Sequence, residues 1–114
     1  MLLSAYAWKV NLDSVIDDFN FSHNEVLKYE EIFNWHNHTL LHDWMYKLYK
    51  SKGGTEEDFN CIPVRLYMKD LNNLDFDFSN FPHDVSLRQR DAEFIKIAKQ
   101  TIESGFALYY DSWF

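Results

Sequence analysis

The sequence predicts an α+β domain in which two main helices pack on a small, mainly antiparallel sheet that includes the N- and C-terminal strands. Three observations predict it. Residues 22–49 and 86–103 carry apolar side chains at helical spacing, each behind a capping-box form. Residues 2–10 alternate as a strand does. Residues 106–114 are strand-like and so aromatic that they need pairing or burial. A chain of 114 residues makes a single globular domain with one core.

Taken in order, the first strand places Tyr6, Trp8 and Val10 on one face and Leu3, Ala5 and Ala7 on the other, until Lys9 interrupts. Asn11-Leu12-Asp13-Ser14 reads as a turn or as the cap of a short helix bearing Val15, Ile16 and Phe19. Ser22-His23-Asn24-Glu25 opens the first main helix, with Phe21 and Val26 placed as a hydrophobic staple. The pattern runs to about Tyr49, and Gly53-Gly54 ends it. Such a helix spans roughly 40 Å at about 1.5 Å per residue, which leaves a break near Asn34 or Asn37 as the alternative. Residues 55–60 form an acidic connection. Residues 62–67 are extended, and Pro63 puts any strand there at an edge or a start. Residues 68–74 suit a short helix. Residues 75–81 alternate Asp and Phe and read as a loop anchored by its phenylalanines, closed by Pro82. Ser86 caps the second main helix, which carries Leu87, Phe94, Ile95, Ala98 and Ile102 and stops at Gly105.

Composition bounds the function. The apolar fraction of 46% argues against disorder. A net charge of −7 and a pI near 5.0 repel phosphate backbones, so direct nucleic-acid binding is not expected and a basic partner is favoured. The single cysteine, Cys61, can form neither an intrachain disulfide nor a cysteine-based zinc cluster; it is expected to be buried, in a reducing cytoplasm. The start lacks a basic n-region and no apolar run approaches the roughly 20 residues of a membrane span, so neither a signal peptide nor a membrane association is expected.

The stretch from Trp35 to Met45 holds three of the five histidines and two of the four tryptophans. On one continuous helix, Val26, Phe33, Leu40, Trp44 and Leu48 form a core stripe. Trp35, His42 and Tyr49 lie opposite, flanked by His38, Met45 and Tyr46. An aromatic second face is a candidate partner surface, with Trp35, His38, His42, Trp44, Tyr46 and Tyr49 as its contacts. Arg65 could join His42 and Trp44 around a small nucleotide. His38 and His42 have the i,i+4 spacing of two metal ligands, but a third must come from elsewhere (His23, His83 or Asp43), and no H-E-x-x-H is present. Cys61 has no activating neighbour and no phosphate-cradling glycine loop exists, so no catalytic residue, metal or cofactor is assigned.

Four segments carry a resemblance. Trp35 with His42-Asp43-Trp44-Met45, then Glu57-Asp58-Phe59-Asn60-Cys61, then Met68-Lys69-Asp70-Leu71-Asn72-Asn73-Leu74 resemble a family of small tailed-phage and prophage proteins. That family's pattern is W-R-K-A-N-A-I-H-N-W-F, an acidic pair with Cys, an extended Y-Y-V-S and a helix K-E-D-L-E-E-L. The end, Glu103-Ser104-Gly105-Phe106 through Tyr110-Asp111-Ser112-Trp113, is similar to the family's Q-S-G-F-F-F and downstream Y-D-x-W/Y. About half the chain is covered. His36-Asn37 stands where the family has Arg-Lys, and Tyr67 where it has a capping Ser. The resemblance implies phage origin and no particular chemistry.

The resulting expectation is a phage-encoded, non-enzymatic protein in the host cytoplasm that inhibits a host or defence protein through an acidic, aromatic-rich surface. The alternative is a protein that sequesters a nucleotide or another small ligand, and the third reading is a metal-dependent hydrolase using His38 and His42. The aromatic surplus also admits a homo-oligomer.

Overall fold

The computed structural model describes residues 2–23, 28–80 and 85–114, the side chains of 85–87 excepted. Strand β1 (Ser4–Val10) is followed by a 3₁₀ turn (Leu12–Ser14) and a small hairpin of β2 (Val15–Asp17) and β3 (Asn20–Phe21). Next come β4 (Tyr29–His36), α1 (Thr39–Ser51), β5 (Val64–Leu66), α2 (Met68–Asn80), α3 (Val85–Glu103) and β6 (Ala107–Trp113). The main sheet has the order β4-β1-β6-β5, and every neighbouring pair is antiparallel. The α+β expectation holds, with both chain ends inside the sheet. Pro63 precedes β5, an edge strand, as a residue without an N–H should.

The register explains how the helices pack. On β1, Ala5 pairs with Trp35 and Ser112, and Ala7 with Phe33 and Tyr110. The two alanines leave room on the sheet's helix side for the rings beside them. Trp35 meets Phe94 of α3 edge to face, with centroids 4.7 Å apart. Leu41, Met45 and Tyr49 of α1, Leu71, Leu74 and Phe78 of α2, and Phe94, Ile95 and Ala98 of α3 complete that core. The β2–β3 hairpin folds over the far side of the sheet, where Phe21 packs with Val10, Ala107 and Tyr109. The Tyr109 hydroxyl lies 2.6 Å from the Asp17 carbonyl, and burial raises its pKa to about 12.

Several expectations are corrected. Residues 29–36 are strand, not helix. The break falls at Asn37, whose φ of 56° lies in the left-handed region that Asn tolerates. Its amide donates to the Leu3 carbonyl (2.7 Å) and its Oδ1 accepts from the Leu3 amide (2.9 Å), so the residue just before β1 holds the turn. Val15 and Ile16 sit in a strand, because the chain turns back at Asp18-Phe19 to pair with β3. Residues 75–80 continue α2: Asp and Phe alternation does not stop a helix whose other face is anchored by Leu71, Leu74 and Phe78. Cys61 is exposed at φ 58°, on a turn tied by its amide to the Ser112 carbonyl. The proposed cap and staple at 22–26 reach into 24–27, and the side-chain cap at Ser86 and the closure at Phe81-Pro82 also lie outside the described residues. The stops at Gly53 (φ 99°) and Gly105 (φ 94°) hold.

Candidate functional site

Helix α1 is where the sequence places most of its candidates, and its phase decides their fates. The buried positions are Leu41, Met45 and Tyr49, each one turn apart. The stripe expected from a longer helix is therefore rotated by about 100°, one residue's turn. That expectation drew its phase in part from Phe33, which lies on β4. Trp35 (2% exposed) and Tyr49 (3% exposed) are core, and they do not form a surface with His42.

His38 is also interior. Its Nε2–H donates to the Asp91 carboxylate of α3, at 3.0 and 3.1 Å to the two oxygens. Its Nδ1 accepts from the Leu41 amide at 3.4 Å, which caps α1. Both ring nitrogens are used within the fold, so His38 does not share an ion with His42. Among the described residues no three metal-ligating side chains converge; His83 lies outside them. Arg65 pairs with Tyr109 in the register, and its guanidinium lies 4.6 Å over the Tyr67 ring. It lines neither depression beside His42 nor that beside Trp44.

What remains at the surface of α1 is a ridge with a depression on each side. On one flank, Leu40, Trp44 and Leu48 face Phe76, Asp77 and Phe78 of α2 across a groove of about 660 Å³. Trp44 Nε1–H donates to Asp77 Oδ2 at 2.8 Å, so the indole is fixed against α2 while its face lines the groove. Phe76 is 71% exposed on the opposite wall. On the other flank, His42 and Tyr46 border a smaller notch with Phe59 and Phe114. His42 Nδ1 lies 3.1 Å from the Tyr110 hydroxyl. Burial lowers the His42 pKa against the opposing pull of Asp43, and burial pushes Tyr110 up. Asp43 lines both depressions and joins them.

The sequence reading missed Phe76, Asp77, Phe59, Phe114 and Asp91. One signal was present for the first of these. Residues two apart on a helix point about 200° apart, so once α2 extends through Asp75-Phe76-Asp77-Phe78 only one phenylalanine can enter the core. Phe78 does, and Phe76 is left outside.

The fold and site define an α+β domain with an aromatic-walled groove beside one helix. No protein-family model, curated protein or solved structure matches the chain.

Proposed function

We propose that this chain is a phage-encoded, non-enzymatic binding protein that inhibits a host or defence protein in the host cytoplasm, gripping it along α1 and the α1–α2 groove. The observation that carries the reading is the groove itself. It pairs a fixed indole, Trp44, with an outward phenylalanine, Phe76, and its lining also carries Asp43, Asp77 and Lys47. An aromatic centre with a charged rim is the make-up of a protein-binding hot spot. The excess of carboxylates over the one lysine in that lining and the net charge of −7 favour a partner that offers an apolar side chain among basic ones. Phage origin and the host target rest on the resemblance alone.

The test starts with capture from bacterial lysate by the native chain and by Phe76→Asp. A partner held by the native chain and released by the variant is then purified and titrated. Equal capture by both chains, or no partner at physiological salt, removes the proposal. Nucleotide sequestration has no comparable support, since Arg65 does not reach the groove or the notch.

A further inference from the structure

The notch on the other flank of α1 has a chemistry of its own. Its volume is about 230 Å³. Phe59, 2% exposed, forms the floor. Tyr46 stands 5.8 Å from it, centroid to centroid, and the His42 ring lies 5.2 Å from it at 30°. Phe114 presents its ring to His42 at 5.2 Å and 80°. Four rings thus wall a cavity open at the top. Around that opening stand the exposed carboxylates of Asp43, Glu57 and Asp58. None of the three is in a salt bridge among the described residues.

Among possible occupants, charge and size choose one. Aromatic faces and carboxylates both attract a cation, the faces through their quadrupoles. The volume is below the roughly 300 Å³ at which small-molecule sites begin, which suits the head of one side chain better than a whole nucleotide. A planar guanidinium can stack on a ring and fork to a carboxylate at once, whereas an ammonium is a point charge held by strong hydration. The chain's own Lys50 already lies 5.6 Å over Tyr46, so that ring accepts a cation. Burial disfavours the charged form of His42, which spares an incoming cation a like charge.

We propose that the notch formed by Tyr46, Phe59, His42 and Phe114 under Asp43, Glu57 and Asp58 is a receptor for one arginine side chain of the partner protein. This rests on the reading of α1 as a partner-binding face and names what that face recognises.

The probe is Nα-acetyl-arginine amide, titrated at millimolar concentration and followed by two-dimensional NMR of the full chain. Nα-acetyl-citrulline amide and Nα-acetyl-lysine amide serve as controls. The expected result is saturable shifts at Tyr46, Phe59 and His42 with arginine, at least threefold weaker binding of lysine, and none of citrulline. Glu57→Gln with Asp58→Asn, both exposed and so compatible with the fold, should weaken arginine binding at least threefold. Glu103→Gln, exposed at the end of α3 and lining neither depression, should leave it unchanged. Absent or scattered shifts, equal response to citrulline, or lysine binding as tightly as arginine overturns the proposal. Because no partner is present, the outcome is separable from that of the capture experiment. Arginine binding without a captured partner sinks only the functional reading, and a Phe76-dependent partner with a silent notch sinks only the arginine receptor.

Discussion

His38 and Asp91 meet at 3.0 Å with side chains only 2% and 4% exposed, and this contact ties the first turn of α1 to the middle of α3. The sequence separates the two by 53 positions. The imidazole serves two ends: it caps the Leu41 amide and satisfies a buried carboxylate. Removing either side chain takes a buried hydrogen-bond partner from the other. His38→Ala or Asp91→Ala should each cost about 3–5 kcal/mol, the range for breaking a buried pair. The double substitution should cost less than the sum of the two. Urea unfolding of the four chains measures this, and strictly additive losses would show that the two side chains do not depend on each other.

Trp35 and Trp44 are separated by nine positions and by very different surroundings. Trp35 is enclosed by Phe33, Phe94 and Tyr110. Trp35→Ala should therefore cost about 3–5 kcal/mol, as for a large core ring. Trp44 is half-buried, with one hydrogen bond to Asp77. Its replacement by Ala should cost less, on the order of 1–2 kcal/mol. Denaturation midpoints at matched slopes rank the two, and a larger loss at Trp44 would contradict the assignment of core and surface.

The contrast between these tryptophans marks how far the sequence could be read. Alternation along β1 and the aromatic end of the chain were local signals, and the sheet uses both as strands. Residues 29–36 were ambiguous because Tyr29, Ile32, Phe33 and Trp35 satisfy either period over a short run. What decides for strand is pairing with β1, a partner far away in sequence. The turn at Asn37 was visible as a possible break, but its meaning depends on Leu3. His42, Trp44 and Tyr46 were legible as surface candidates because they lie on α1. Phe59, Phe114 and Asp91 were not, since only tertiary folding brings them to that helix.

Gly54 offers a sharper test of packing than its neighbour. A Cβ there would run into the ring of Tyr49, whose hydroxyl also accepts from the Glu56 amide at 2.9 Å. The ring is buried and held on both sides, so it has little room to yield. Gly54→Ala should destabilise by about 1–3 kcal/mol, the usual cost of overpacking. At Gly53 nothing lies within 4 Å, and the obstacle is the φ of 99° alone. Thermal melts of Gly54→Ala beside the native chain check the prediction; an unchanged melting temperature would mean that Tyr49 moves freely.

His42 gives the fold a pH dependence with a defined sign. Burial lowers its folded pKa below the ordinary value of 6.5, with Asp43 opposing and Tyr110 hydrogen-bonding the same ring. Above 6.5 the ring is neutral in both states and its full contribution is present. As pH falls below 6.5 the unfolded chain takes up the proton first, so stability drops until the folded pKa is passed. His42→Gln should flatten that part of the curve. Urea unfolding from pH 7.5 to 4.5 on both chains isolates the effect, and parallel curves would show that His42 has the same affinity for protons in both states.

The acidic rim predicts how partner binding responds to salt. Asp43 lies where the groove and the notch meet, exposed on the ridge of α1. Charges at a rim act mainly on the rate of encounter, and salt screens them over about 8–10 Å. Asp43→Lys should slow association severalfold at low ionic strength and leave dissociation nearly unchanged. Phe76→Asp should do the reverse, since it removes apolar contact at the centre of the groove: dissociation should quicken by about tenfold or more. Stopped-flow or surface-based kinetics with the captured partner, at 50 and 300 mM salt, separates the two effects. If both substitutions changed association alone, the groove would be a site of electrostatic attraction only, and the role given to Phe76 and Trp44 as apolar anchors would be lost.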